Sequence, residues 1–581
     1  MKRTYRYSFL FAAAAMTLAA CSSDEPAAGG GLNEGETAYL NVSLRDANDL
    51  TRAGEGADLT PGDNVSGEFE YGTGNEGKVA SARFFFFDDN GIYTGQSTIW
   101  NGGNPGSEPN IELKGNSVVV LDNLKGNQYP RYMVTVLNGG AQYTNDFMTG
   151  KNIEEFSRDL TSWGEDADGG FLMATSSYFQ GTPASDKTHE DARYFATVLD
   201  EDNFARSADE AKTLNPVNVY VERLAARVHL NCAAEFPIKA TVMGADGNNP
   251  ESAAGSGEAA TNLKIRIDGW YLNGIQQLSY LSKQFGSWTS SASLTDVDGW
   301  AWNVPSFHRS FWGQSVNYGK QTEDGLVFYP WINSNVLQAG QYAYCNENTS
   351  DYANLSKDNN NRPNQRLVTS VVIKATVCTA DGTPLDMVEH NGVYFTKDRF
   401  IKYVLDNASR SGKLNYYTRT GTEGNYTYTQ VQPSMFDLKG TNERVQVAKG
   451  SSFPAGQLYT KDGAAAAAAD LDKDLAAITA DAVTRAYRDG AMYYNIPVAH
   501  LNKKTYDANG DLATWFEGSF GVVRNHAYEI TVNSVKRLGQ GIFNPDTEDV
   551  KPDQDPKDPN WFLGATINVL SWKIVTSGVD L

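Results

Sequence analysis

Six histidines, seventy acidic residues, four cysteines and one glycine-rich run are the residues in this 581-residue chain that could do chemistry. Gly72-Thr73-Gly74-Asn75-Glu76-Gly77 satisfies G-x-G-x-x-G. A dinucleotide site needs that run between a strand and a helix, and here polar residues precede it and a strand pattern follows, so it reads as a surface loop. His189, His229, His308, His390, His500 and His526 are scattered, with neither i, i+4 spacing nor a nearby cysteine, so the pattern specifies no zinc site. His308-Arg309-Ser310 and His526 lack the G-x-S-x-G turn that would activate a serine, and packing or hydrogen-bonding roles are expected. Carboxylates are too abundant for any two to be singled out as a glycosidase pair. Asp507-Ala508-Asn509-Gly510-Asp511 lacks the downstream bidentate Glu of a calcium loop and reads as a hairpin turn. The expectation is therefore no enzyme, no catalytic residue, no metal and no cofactor.

The composition narrows the class further. Hydrophobic residues make up 40% of the chain and aromatic residues 12%, whereas only 20% are charged. Aromatic and β-branched runs broken by Gly, Asn and Asp imply an all-β fold with many turns, and the length implies at least two domains. A net charge of −21 repels phosphate backbones and anionic lipid headgroups, which excludes nucleic acid as a partner.

Lys2, Arg3 and Arg6 followed by the apolar stretch 8–20 form a targeting segment too short for a comfortable membrane span. It ends Leu18-Ala19-Ala20-Cys21, which resembles a bacterial lipobox. That resemblance implies a signal peptide over residues 1–20 and diacylglycerol with N-acylation at Cys21. Asp24-Glu25 resembles the surface-export signal of Bacteroidales lipoproteins. With Cys21 lipidated, Cys232, Cys345 and Cys378 allow at most one internal disulfide, and their pairing stays open.

Beyond a polar tether, Leu40, Val42 and Leu44 alternate with polar residues as a half-buried strand. This strand runs into a loop with no apolar periodicity that contains Arg52 and Ala53. Strand patterns follow at 79–87, 116–121, 132–137 and 171–174, and a long extended segment over 215–231 places a domain boundary near Pro216. The second part carries one expected helix over 464–488, where Leu471, Leu475, Ile478 and Ala482 recur at helical spacing; at ~1.5 Å per residue it would be about 37 Å long. Residues 545–559 are acidic and proline-rich and read as an extended linker. Beyond them Ile567 and Val569 share one face of an apolar strand, while Leu570, Trp572 and Ile574 share the other. The change of phase implies a bulge or burial on both faces. Left in water this strand would invite aggregation, so it needs a groove.

Several segments together resemble the Mfa-type fimbrillins, the structural subunits of Bacteroidales type V pili. They include the segments 79–91, 132–138, 171–175, Val221-Glu222-Arg223-Leu224-Ala225-Ala226-Arg227-Val228, 269–273 and 305–312. Asn346-Glu347-Asn348-Thr349, 493–498 and Gly521-Val522-Val523-Arg524-Asn525-His526-Ala527-Tyr528 complete the set. The resemblance implies two tandem transthyretin-like β-sandwich domains, at 53–215 and 216–544, after a propeptide at 21–52 and before a linker and donor strand at 545–581. It further implies a lipidated precursor cut by an Arg-specific or trypsin-like protease between Arg52 and Ala53. Loss of Leu40, Val42 and Leu44 then opens a groove, filled by Ile567, Val569, Leu570, Trp572 and Ile574 of the next subunit. A tail-into-groove contact does not close on itself, so its product is a filament. The implied partners are identical subunits, anchor and tip subunits, the processing protease, the outer membrane through the lipid, and receptors on host or bacterial surfaces. Two other readings compete: a tip or accessory adhesin of the same pilus, and a monomeric surface glycan-binding lipoprotein or carbohydrate-active enzyme whose C-terminal strand pairs within its own chain.

Overall fold

The computed structural model describes the chain from Thr37 to Lys573, apart from residues 47–68, 72–73, 78, 80, 101–116, 122–128, 141, 144–146, 149, 165–169, 177–195, 245–262, 285–311, 321, 333–335, 350–364, 442–443, 452, 454–456, 481, 501–504, 507–511, 515–519, 549 and 551–562. It is an all-β molecule with few helices. None of the described helices is long and apolar enough to cross a membrane.

The N-terminal strands are β1 (Ala38–Asp46), β2 (Phe69–Tyr71), β3 (Ala82–Phe87), β4 (Tyr93–Trp100), β5 (Ser117–Leu121), β6 (Tyr132–Leu137), β7 (Met173–Thr175), β8 (Phe204–Ala205) and β9 (Val217–Arg223). All but β2 belong to one sheet, in the order β8-β1-β9-β7-β6-β3-β4-β5. The sheet closes on itself, because β1 also pairs with β5. Phe84 and Phe86 point into the closed sheet with Leu40, Val42, Val119 and Val219. Phe85 and Phe87 point outward, where Ile153 and Phe156 cover them. Both faces are therefore buried, which explains an unbroken run of four phenylalanines in one strand. The covering helix Ile153–Ser157 starts at a capping box, with Glu155 N–H donating to Asn152 and Asn152 N–H to the Glu155 carboxylate.

After Leu224 the same extended chain enters a second sheet as β10 (Ala225–Cys232). The changeover between sheets thus falls at Leu224, whereas the sequence placed it near Pro216, because β9 is still pairing with β1 and β7. The C-terminal body stacks two sheets. β11 (Leu263–Asn273), β12 (Tyr342–Asn346), β13 (Ser370–Thr379), β14 (Tyr417–Thr422), β15 (Asn425–Gln430), β16 (Leu458–Tyr459), β17 (Ala491–Pro497), β18 (His526–Val535) and β19 (Leu563–Lys573) are its main strands. One sheet runs β12-β10-β18-β19-β2, and the other centres on β11, β13 and β17. Val228, Leu230, Tyr528 and Ile530 from the first interdigitate with Ile265, Trp270, Ile373 and Tyr494 from the second.

Two helices cover a further sheet. The helix Lys397–Arg410 presents Phe400, Ile401, Val404, Leu405 and Ala408 at helical spacing to that core, a signal passed over in the sequence. The helix expected over 464–488 spans only Ala468–Thr479. Ala464 and Ala465 are held in a turn instead, and Thr484–Tyr487 forms a strand beside Met387–His390. Strand pairing overrides helix propensity at both ends of the expected helix. The linker expectation is also corrected at its start. Val550 is fully buried beside Tyr271 and Trp331, and its carbonyl accepts from Asn273 Nδ2 at 2.8 Å.

The long β11–β13 ladder contains a bulge between Ile267 and Gly269. Gly269 has φ +135°, and a Cβ there would sit 2.2 Å from Val336 Cγ1 and 2.6 Å from the Leu337 carbonyl. The bulge aims the buried Trp270 indole at the Gln338 carbonyl, 3.0 Å away. Gly269→Ala is expected to destabilise the protein by about 1–3 kcal/mol, read as a lowered midpoint in thermal or denaturant unfolding. A midpoint equal to the parent's would show that the bulge tolerates a side chain.

Candidate functional site

Leu40, Val42 and Leu44 sit where β1 closes the N-terminal sheet. Ala38, Leu40 and Val42 are buried among Phe84, Phe86 and Val119, with half-buried Leu44 packed on the same cluster. The opposite face is also covered, because Tyr39 packs on Val118, Ala205 and Ala211, and Asn41 Nδ2 donates to the Leu214 carbonyl at 2.9 Å. Along one edge Ala38–Val42 pair antiparallel with β5. Along the other, Tyr39 and Leu40 pair with β8, and Val42–Asp46 run parallel to Val217–Val221. A single segment thus fills a slot with two sheet edges, a greasy floor and a lid formed partly by the short helix Ala208–Ala211. Burying each large apolar side chain is worth about 1.5–3 kcal/mol, so a vacant slot would be strongly unfavourable in water.

The C-terminal residues lie elsewhere. Ile567, Val569, Leu570 and Trp572 belong to β19, which pairs antiparallel with β18 of its own chain from Val535–Leu563 to His526–Ser571. Phe69–Tyr71 pair parallel with Ser571–Lys573 on its other edge. The sequence expectation that this strand lacks a home in its own molecule is corrected. The free edge of β18 supplies one, and strand alternation cannot distinguish an acceptor edge within the chain from one in a neighbour. The ladder is regular from Ala565 to Ser571, and its irregularity falls between Val532 and Ser534 on the partner strand. Cys21, Arg52, Ala53 and Ile574 lie outside the described residues.

A buried charged network joins the slot to the β18–β19 seat. Glu222 at the end of β9 accepts from Lys283 Nζ at 3.0 Å, with both side chains almost fully buried. Burial pushes the Glu222 carboxyl up, while Lys283 and Arg524 pull it down. Arg524 ion-pairs with Glu347 at 3.3 Å and donates to the Leu281 and Tyr280 carbonyls and to Ser279 Oγ. Arg227 reaches Glu76 at 3.2 Å, Tyr344 Oη donates to the same carboxylate at 2.6 Å, and Arg223 Nε donates to the Glu76 carbonyl. Asn525 Oδ1 accepts from Arg223, and Asn525 N–H donates to the Ala225 carbonyl. Three segments far apart in sequence, 221–228, 346–349 and 521–528, therefore meet where the two bodies abut.

Glu76 corrects the surface-loop reading of the glycine-rich run, since its carboxylate is buried against Arg227. Nothing in the local sequence announces this; only the distant arginines create the demand for a buried anion. The histidines described are hydrogen-bonded: His390 with Thr484, His500 with Tyr528, His526 with the Arg524 carbonyl, and His229 with Glu529. His189 and His308 lie outside the described residues. Thr505–Tyr506 and Leu512–Thr514 pair antiparallel around the Asp507–Asp511 segment, as a hairpin requires. Cys232, Cys345 and Cys378 are all free thiols. Burial pushes Cys345 up to about 12, which removes it from thiolate chemistry at neutral pH.

Removing one partner of a buried ion pair leaves the other charge unmatched, which costs about 3–5 kcal/mol. Glu347→Leu is expected to lower the unfolding free energy by that amount, because Arg524 then keeps only neutral acceptors and Glu222. Chemical denaturation read by tryptophan fluorescence measures it, and a loss below about 1 kcal/mol would show that the network contributes no more than a surface pair.

Residues 485–577 match the family described as major fimbrial subunit protein type IV, fimbrillin, C-terminal. That stretch contains β17, β18 and β19. No curated protein matches the chain. Similar solved structures include a fimbrilin from Porphyromonas gingivalis, with 12% identity over 94% of this chain and 99% of that one and a TM-score of 0.34. They also include the tip fimbrial protein Mfa3 from Porphyromonas gingivalis with a C-terminal truncation, with 10% identity over 92% of this chain and 100% of that one and a TM-score of 0.31. Over residues 485–577, then, the chain is similar to the C-terminal region of major fimbrial subunit proteins.

Proposed function

We propose that this chain is a structural subunit of a cell-surface fimbrium that polymerises by protease-triggered strand exchange. The observation that carries the reading is β1: the first described strand, buried on both faces, which closes the N-terminal sheet between β5 and β9. Cleavage between Arg52 and Ala53 severs β1 from everything that follows it. Leaving the slot, β1 exposes two ladder edges and the floor of Phe84 and Phe86 at once. An incoming strand regains main-chain bonds on both edges and apolar burial on its inner face, which is the physics of strand complementation. The donor is the C-terminal strand of the next subunit, carrying Ile567, Val569, Leu570, Trp572 and Ile574.

Donation requires β19 to leave β18 and β2. Its seat in the parent chain offers one long antiparallel edge and one short parallel edge, and the slot offers two edges of intermediate length. Hydrogen bonding is therefore close to balanced between the seats, and the vacated apolar floor tips the exchange toward the neighbour. Before processing, the lipid on Cys21 holds the precursor at the outer membrane, with anchor and tip subunits as further partners.

The pairing of β19 with its own chain favours a second reading, a monomeric surface glycan-binding lipoprotein. The two are separated by treating purified precursor with a trypsin-like protease and following it by non-boiled electrophoresis. The expected result is a ladder from the parent chain, and monomer alone from Arg52→Ala and from a chain lacking residues 565–581. A parent chain that is cut at Arg52 and stays monomeric would instead establish the second reading.

A further inference from the structure

Away from the slot and the charged network, β14, β15 and β16 form a small sheet of their own, in the order β15-β14-β16. Its inner face is fixed at the root. Tyr416 and Leu458 are buried in the helix-covered core, and the Tyr416 hydroxyl donates to Asp474 on the helix Ala468–Thr479 at 2.7 Å. Toward the tip that same face carries threonines, with Thr418 opposite Thr429 and Thr420 opposite Thr427. Strand alternation puts Tyr417, Arg419, Tyr426, Tyr428 and Tyr459 together on the outer face.

There the Arg419 guanidinium lies 4.0 Å from the Tyr426 ring centroid and 4.1 Å from that of Tyr459. Tyr428 meets the Tyr459 ring edge-on at 6.1 Å. The residue paired with Tyr426 is Gly421, with φ +99°, so the position directly opposite adds no side chain, and Tyr426 stays 38% exposed with Arg419 against its ring. The face combines a planar cation held between rings with a partly exposed aromatic side chain.

We propose that this outer face binds a saccharide bearing a carboxylate, of the sialic or uronic acid class. The guanidinium lies against two rings and shares a hydrogen bond with Tyr428, so its remaining N–H groups are what it offers to a partner. A planar two-pronged donor matches a carboxylate, and the stacked rings hold the side chain ready at little entropic loss. The exposed Tyr426 ring receives the C–H face of the sugar beside it. Charge selects the size of the ligand. An acidic polypeptide would meet the chain's net charge of −21, whereas a small sugar brings one charge directly to Arg419. The inference does not rest on strand exchange, because it concerns a sheet remote from β1.

The test uses the purified full-length chain with 3′-sialyllactose and trigalacturonate as probes, and lactose as the neutral control, by isothermal titration and saturation-transfer NMR. Saturable binding of at least one acidic sugar is expected, with lactose weaker by about tenfold or more. Arg419→Gln and Tyr426→Ala should each weaken acidic-sugar binding at least about tenfold. Arg419→Lys should fail to restore it, and Thr420→Val, on the opposite face, should leave it unchanged. Unaltered thermal unfolding of each variant separates a binding role from a folding one. The proposal is overturned by any of three results: no acidic sugar binds the parent, lactose binds equally well, or Arg419→Gln retains parental affinity. Equal affinity for a glutamate-rich peptide would likewise overturn it in favour of a general carboxylate site.

Discussion

A β-sheet that curls around an apolar interior still has two edges, and its interior stays dry only if something joins them. In the N-terminal body that element is Ala38–Asp46, hydrogen-bonded to β5 on one side and to β8 and β9 on the other. Everything inside the sheet, from the alternate phenylalanines of β3 to Met133 and Val219, depends on this closure for its burial. In sequence this strand precedes every other described strand, so one cut in the segment that follows it separates it from the sheet it closes. A mid-sequence strand in the same place would be tethered twice and could not be withdrawn without unfolding its neighbours.

The charged network answers a related mechanical demand. β9 and β10 are one extended stretch that changes sheets at Leu224, and a lone crossing strand would leave the bodies free to rock. Glu222, Arg223 and Arg227 on that stretch are tied to Lys283, Asn525 and Glu76 from other parts of the chain, and Arg524 is tied to Glu347 beside them. Buried ion pairs add less net stability than apolar packing of equal volume, but they tolerate few alternative geometries. A junction built this way suits a molecule whose N-terminal sheet is proposed to exchange a strand under load while its C-terminal body keeps its orientation.

How much of this was legible beforehand depended on whether the cause was local. The period-two pattern of Leu40, Val42 and Leu44 and the Phe84–Phe87 run lie in strands, because alternation and double-sided burial are written into neighbouring residues. The 464–488 helix spans only twelve residues because its start folds back on Leu458–Thr460 and its end pairs with Met387–His390, about a hundred residues away. Lys397–Arg410 was legible, with apolar residues at 400, 401, 404, 405 and 408, yet was overlooked amid the surrounding β pattern. Glu76 could not have been found at all. Its burial is set by Arg227 and Tyr344, some 150 and 270 residues away. The segments carrying the family resemblance looked unrelated in sequence, and several prove to be the walls of a single buried junction.

The seat of β19 bears on the energetics of the proposed polymer. Were the C-terminal strand unpaired in the monomer, its association with any exposed edge would be steeply downhill, and aggregation would compete with ordered assembly. Parking it on β18 removes that hazard and converts assembly into an exchange between two comparable ladders. The driving force is then the difference between the seats and not the full value of either one. Such a difference stays small while β1 occupies its slot and becomes large only when the floor of Phe84 and Phe86 is bare. In that scheme proteolysis supplies the free energy by destroying the covalent tether of β1, so polymerisation can be irreversible overall even though each strand pairing, taken alone, is not.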